Sequence, residues 1–186
     1  MKILFCLGSM TKGGAERVVA NLSNWLINEH QVGIVVTPLD PSHYPLDSRI
    51  KYMTLDGFQT NKKNKIRRNL ERISKLNKYI KDFKPDIILT FLPEPSYRVL
   101  FLKPLIKTKV ITSIRNDPKV EYKNFIDRTI MKILYKRSDG FVFQTKEAKE
   151  YFSSKIQQNS VIIPNPINPK ISGLVQPLLP ASEKPY

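Results

Sequence analysis

Cysteine is all but absent from this chain. A single residue of 186, Cys6, lies inside an apolar stretch, so no disulfide framework and no thiolate metal site can form within one chain. Histidine is nearly as scarce: His30 and His43 are too few for a histidine-rich metal site. No apolar run approaches ~18 residues, which excludes a hydrophobic membrane-spanning helix. Met1-Lys2 is followed by only five apolar residues, too few for a secretory leader, and a reducing cytoplasm fits such a chain best. Acidic residues are also in short supply. Sixteen of them against 31 Lys and Arg leave a net charge of +15. That imbalance implies an anionic partner: nucleic acid, a membrane surface or a phosphorylated substrate.

What the chain does have is regularly spaced apolar runs. Strands are expected at Ile3–Leu7, Val32–Thr37, Ile50–Leu55, Asp86–Leu92, Val110–Ile114, Gly140–Gln144 and Val161–Ile163. Most are continuous rather than alternating, as strands covered on both faces are. Helical patterns fall between most of them, at 15–29, 66–83, 95–106, 123–137 and 146–156. Strand-helix alternation over this length predicts an α/β fold with a doubly wound parallel sheet. The span 37–49, with three prolines and no clear period, reads as a loop. Ligands of such sheets bind beyond the carboxyl ends of the strands. Ser9–Glu16, Pro93–Tyr97, Arg115–Pro118 and Thr145–Glu147 should therefore gather there.

The chain is organised around Ser9-Met10-Thr11-Lys12-Gly13-Gly14-Ala15-Glu16-Arg17. It joins the first strand to a helix whose Ala15, Val18, Val19, Leu22, Trp25 and Leu26 share one stripe. A helix N-terminus presents unpaired N–H groups, and paired glycines let a ligand approach them. One reading is therefore a phosphate or sugar cradle. The other is an ordinary turn in which Gly13 and Gly14 supply unusual backbone angles. The stretch is neither G-x-G-x-x-G nor a P-loop, because its glycines are adjacent and no G-K-[ST] follows.

Three further strand ends carry polar groups. Glu94, between Pro93 and Pro95, is placed to bind a substrate hydroxyl or to act as a first-turn helix acid. Arg115-Asn116-Asp117 can form a cluster that reads sugar or phosphate, with Arg115 bidentate on a phosphate, or else a local turn before Pro118. Thr145 is placed to cap the next helix.

Residues 61–84 hold ten Lys or Arg against Glu71 and Asp82, and so supply +8 of the net charge. Ile66, Leu70, Ile73, Leu76, Ile80 and Phe83 are assigned to one helical face. Arg67, Arg68, Arg72, Lys75, Lys78 and Lys81 are assigned to the opposite one. Such a face is either a solvated surface or a site attracted to anionic lipid, where each nearby cation contributes about 1 kcal/mol. Aromatic residues do not alternate with the basic ones, so nucleic acid is not the expected partner.

Gly13-Gly14-Ala15-Glu16-Arg17-Val18 between strand and helix resembles the opening of family 4 glycosyltransferases of the GT-B fold. Arg115-Asn116-Asp117-Pro118 resembles a signature of the subset that builds bacterial surface polysaccharides. Ile163-Pro164-Asn165-Pro166-Ile167 is similar to the segment with which these enzymes leave their first domain. The resemblance implies a Rossmann-like N-terminal domain over residues 1–168, one half of a GT-B architecture. Residues 169–186 would be a linker and tail leading to a C-terminal domain that this sequence does not contain.

It further implies a retaining transfer of a sugar, of hexosyltransferase type. The sugar would pass from a nucleotide-diphosphate donor to a glycan acceptor, lipid-linked in surface polysaccharide synthesis, with no metal or other cofactor required. Gly13 and Gly14 would lie by the donor diphosphate. Glu16, Glu94, Arg115, Asn116 and Asp117 would line the acceptor side. From its one-sided charge, not from the resemblance, the helix carrying Arg67, Arg68, Arg72, Lys75 and Lys78 is expected to hold the protein peripherally at the anionic inner face of the membrane. Many relatives carry a histidine after the fifth strand. Ile114-Arg115-Asn116 stands there instead, and no catalytic residue is assigned. The chain alone is expected to be inactive. The competing reading is a stand-alone Rossmann-type module that binds an anionic ligand or nucleic acid.

Overall fold

The computed structural model describes residues 1–38, 42–56 and 65–165. It is a single sheet of seven parallel strands flanked by helices. In chain order the elements are β1 (Lys2–Cys6), α1 (Gly14–Leu26), β2 (Gln31–Val36), β3 (Lys51–Thr54), α2 (Lys65–Phe83), β4 (Ile87–Phe91) and α3 (Pro93–Leu102). They continue as β5 (Lys109–Ile114), α4 (Pro118–Glu121), α5 (Phe125–Leu134), β6 (Gly140–Phe143), α6 (Lys146–Glu150), α7 (Ser154–Gln158) and β7 (Ser160–Ile162). The strand order is β3-β2-β1-β4-β5-β6-β7. Every expected strand is present, with each end within one residue of its expected place.

The reason is burial on both faces. Along β1, Ile3 and Phe5 enter one apolar core with Val19 and Ala20 of α1. Leu4 and Cys6 enter the other, with Leu76, Ile80 and Phe83 of α2 and Val99 and Leu100 of α3. Alternate residues thus face opposite cores, and both must be apolar. Burial pushes the Cys6 thiol up to about 12, so it remains a neutral packing group.

The helix expected at 123–137 forms from Phe125 on, as α5 and a 3-10 turn at Tyr135–Arg137, and the short α4 before it was not expected; Asn124, extended (φ −80°, ψ 146°), lies between them. The helix expected at 146–156 is broken, because Ser153 is extended (φ −62°, ψ 154°) and separates α6 from α7. The break follows Phe152, which is buried beside Phe143, with ring centroids 5.2 Å apart.

The assignment of faces on α2 needs correction. Arg68, Arg72, Leu76 and Ile80 follow at intervals of four and share a row. Arg72 is accordingly buried rather than on the basic face, and it forms a two-pronged ion pair with Asp56 at 2.7 and 2.6 Å. Lys75 Nζ donates to the Leu55 carbonyl at 2.8 Å, so its charge is engaged at the end of β3. Conversely, Ile66 and Leu70, assigned to the core face, are 69% and 59% exposed. Arg67, Lys78 and Lys81 do face outward.

Candidate functional site at the strand ends

Strands β1 and β4 are neighbours, yet the chain leaves them toward opposite sides of the sheet. Such a switch point opens a crevice at the carboxyl ends. A cleft of 480 Å³ lies there, lined by Gly8 beyond β1, by Leu92, Glu94 and Tyr97 after β4, and by Asn116, Glu121 and Asp127. Leu92 holds φ 68° and ψ 158°, a region that non-glycine residues seldom occupy. This sharp turn places Pro93 and Glu94 in the first turn of α3. Asn116 Nδ2 donates to Glu121 Oε2 at 2.6 Å. Tyr122, also in the wall, has its hydroxyl paired with that of Tyr135 at 2.8 Å. Burial raises the Tyr97 and Tyr122 hydroxyls above their ordinary range, so both are neutral. The polar lining is thus three carboxylates and an amide. These groups accept hydrogen bonds from hydroxyls and repel anions.

Glu94 also belongs to an ion-pair lattice on one side of the cleft. Its carboxylate meets Arg98 one turn along α3 and stands 3.6 Å from Arg72. Arg98, 5% exposed, also donates to Thr37 Oγ1 at 3.0 Å. Burial lowers the affinity of Arg98 for its proton, and Glu94 opposes that shift. The hydrogen bond from Arg72 holds the Asp56 carboxyl below its ordinary value of 3.8. Both roles open to Glu94 in the sequence therefore meet in one side chain. It is a first-turn acid clamped by two arginines, and it remains 65% exposed toward the cleft.

A second cleft, of 310 Å³, lies past β5 and β6. Arg115, Asn116, Asp117, Lys119, Gln144, Thr145 and Glu147 line it. Asp117 caps α4 by accepting from the Lys119 amide at 2.9 Å. Thr145 caps α6, accepting from the Ala148 amide at 3.1 Å, as expected. Asn116 borders both clefts. Arg115 does not reach freely into this space. Its guanidinium lies 5.9 Å over the Phe91 ring and bonds to Asn165.

The Gly13-Gly14 turn lines neither cleft. No glycine among the described residues has a positive φ, so the turn does not depend on angles reserved for glycine. Space at Gly13 is limited only by a flexible side chain. A Cβ there would fall 2.0 Å from Glu16 Oε2, because the Glu16 carboxylate folds over the first turn of α1. The Tyr44 hydroxyl accepts from the Gly13 amide at 3.2 Å and donates to its carbonyl at 2.9 Å. A Cβ at Gly14 would meet nothing within 4 Å, so this side of the turn is open. Among the described residues no three His, Cys, Asp or Glu side chains are grouped to hold a metal ion, and no helix is long and apolar enough to cross a membrane.

Arg98, Glu121, Asp127 and Asp56 escape a reading of the sequence. Arg98 had one available signal, its spacing of four from Glu94. Glu121 and Asp127 had none, because they reach one cleft only through the break between α4 and α5.

Residues 12–171 match the model of Glycosyltransferase Family 4. Over 164 residues the chain is 27% identical to a Campylobacter jejuni transferase, covering 88% of this chain and 45% of that protein. That relative is a GalNAc-alpha-(1->4)-GalNAc-alpha-(1->3)-diNAcBac-PP-undecaprenol alpha-1,4-N-acetyl-D-galactosaminyltransferase. The chain spans less than half the length of the curated relatives it matches. Among solved structures, sucrose-phosphate synthase from Thermosynechococcus elongatus superposes with a TM-score of 0.67 at 10% identity, over 88% of this chain and 48% of that one. The lipopolysaccharide outer core galactosyltransferase WaaB superposes with a TM-score of 0.66 at 16% identity, over 90% and 46%. These likenesses establish a Rossmann-like half of the GT-B fold. With the family model covering most of its length, the chain belongs to Glycosyltransferase Family 4.

Proposed function

We propose that this chain is the acceptor-side half of a retaining glycosyltransferase. It would take a sugar from a nucleotide-diphosphate donor and pass it to a lipid-linked glycan in surface polysaccharide synthesis. The observation that carries this reading is the cleft at the β1/β4 switch point. Glu94, Asn116, Glu121 and Asp127 give it several acceptors for sugar hydroxyls, and no cation stands among its described lining residues. A neutral glycan end suits such a lining better than an anion does. The Campylobacter relative, whose acceptor is an undecaprenol-diphosphate glycan, supports a lipid-linked acceptor here.

The donor diphosphate would lie against the open side of the Gly13-Gly14 turn, with Glu16 swung aside. Residues 1–168 would form the domain and 169–186 its exit; that tail lies outside the described residues. Without a donor-binding partner domain the chain would not transfer sugar. Arg67, Lys78 and Lys81, which face outward, would favour a peripheral position on an anionic cytoplasmic membrane face.

The direct test is an NMR titration of the chain with a short-chain, water-soluble diphosphate-linked oligosaccharide. Shifts should cluster at Asn116, Glu121 and Asp127. Shifts confined to the basic face of α2 would refute the cleft as acceptor site. For the donor side, Gly14→Val in the two-domain enzyme should lower transfer while leaving the melting temperature nearly unchanged, because a side chain there has room.

A further inference from the structure

β5, β6 and β7 end in register, with Ile114 paired to Phe143 and Phe143 to Ile162. Just beyond these ends stand Arg115, Gln144 and the segment Ile163-Pro164-Asn165. Arg115 Nη2 donates to Asn165 Oδ1. With its amide oxygen facing the guanidinium, Gln144 accepts from Arg115 Nε at 3.0 Å and Nη2 at 2.9 Å. Its amide nitrogen then donates to the Arg115 carbonyl at 3.0 Å. The Asn165 amide reaches the same Gln144 oxygen at 2.8 Å. Phe91, the last residue of β4, lies against the guanidinium. One cation therefore joins the ends of three strands to the chain leaving the sheet.

The backbone of that departing chain offers little alternative hold. The Ile163 amide donates to Phe143 at 2.8 Å, the last ladder bond among the described residues. Pro164 and Pro166 have no N–H to donate. Among the described residues, the side chain of Asn165 then ties the departing segment to the sheet.

We infer that Arg115 is a positioning residue, a latch that sets the direction in which the chain leaves this domain, rather than a ligand for the acceptor. Arg115 and Gln144 also line the 310 Å³ cleft, so filling that cleft and seating the linker draw on the same two side chains. The consequence for sugar transfer rests on the two-domain reading above; the latch itself does not.

Amide hydrogen exchange at Ile163 tests it on this chain. Arg115→Ala and Asn165→Ala should each speed that exchange about tenfold, the scale of one lost charge-assisted hydrogen bond, with the amides of β1 and β4 unchanged. The double variant should fall short of the sum of the singles, because both remove the Arg115–Asn165 contact, while Asn165 also reaches Gln144. Arg115→Lys should resemble Arg115→Ala, since an ammonium lacks the planar fork. Asn116→Ala should leave Ile163 as it is. Unchanged exchange in Asn165→Ala, or additive effects in the double variant, would overturn the latch. So would loss of protection spread evenly over the sheet. Weaker acceptor binding by Arg115→Ala with Ile163 untouched would return the guanidinium to the acceptor and also refute the proposal.

Discussion

The two flanks of the switch-point cleft are built from the same kinds of residue and use them in opposite ways. On the β3 side, Arg72 and Arg98 are buried and each meets a carboxylate, Asp56 or Glu94. On the α4–α5 side, Glu121 and Asp127 face the cleft and no arginine lines it. The first flank is held together by its charges. On the second each carboxylate accepts from a neighbouring amide, Glu121 from Asn116 and Asp127 from Asn124, and faces the cleft. A count of acids and bases along the chain cannot separate these cases. What separates them is whether the opposite charge lies within reach in a desolvated place, where the loss of one partner is costly.

The sharpest way to break this contrast is to remove a partner on the buried flank. Asp56→Ala leaves the buried Arg72 without its two-pronged partner. It should cost about 3 kcal/mol or more, a fall of roughly 6–12 °C in melting temperature for a chain of this size. A loss under about 1 kcal/mol would mean that the lattice is no more than a surface pair.

Acid should act on the same flank more gradually. Arg72 holds Asp56 below its ordinary 3.8, so the unfolded chain takes up that proton more readily than the folded one. The stabilisation is complete above 3.8 and is lost as pH falls below it, through the folded value. Denaturant midpoints measured across that range should fall less steeply in Asp56→Asn than in wild type.

The open flank should respond in the reverse sense. Glu121→Gln and Asp127→Asn should change stability by no more than about 0.5 kcal/mol, as surface substitutions do. Each should weaken binding of the soluble acceptor analogue about tenfold, the value of one hydrogen bond to a charged group. Equal losses of stability on both flanks would erase the distinction.

The smallest effects belong to the outward cations of α2. Arg67→Gln and Lys78→Gln should each weaken sedimentation with anionic vesicles by about 1 kcal/mol, and salt should mimic the change. Arg72→Gln should instead destabilise the fold. Vesicle binding that ignores both outward substitutions and salt would remove the membrane role from this helix.

The sheet was legible in the sequence because two-sided burial demands consecutive apolar residues. Ile3 to Leu7 meets that demand without reference to any other part of the chain. The cap at Thr145 was legible for a similar reason, since a cap is a bond across two or three residues. The polar strand ends could be located too, because a parallel sheet places all its carboxyl ends on one edge. Only the tertiary structure decided what those polar groups do. Arg72 turns inward because Asp56, sixteen positions earlier, stands two residues beyond the edge strand β3. Arg115 turns to Asn165, fifty positions later, because β7 delivers the departing chain to it. Long arginine side chains take the direction of whichever acceptor the packing brings within 3 Å, and sequence spacing does not record distances through space. Local geometry is encoded locally; the partners of a mobile charge are chosen by the fold.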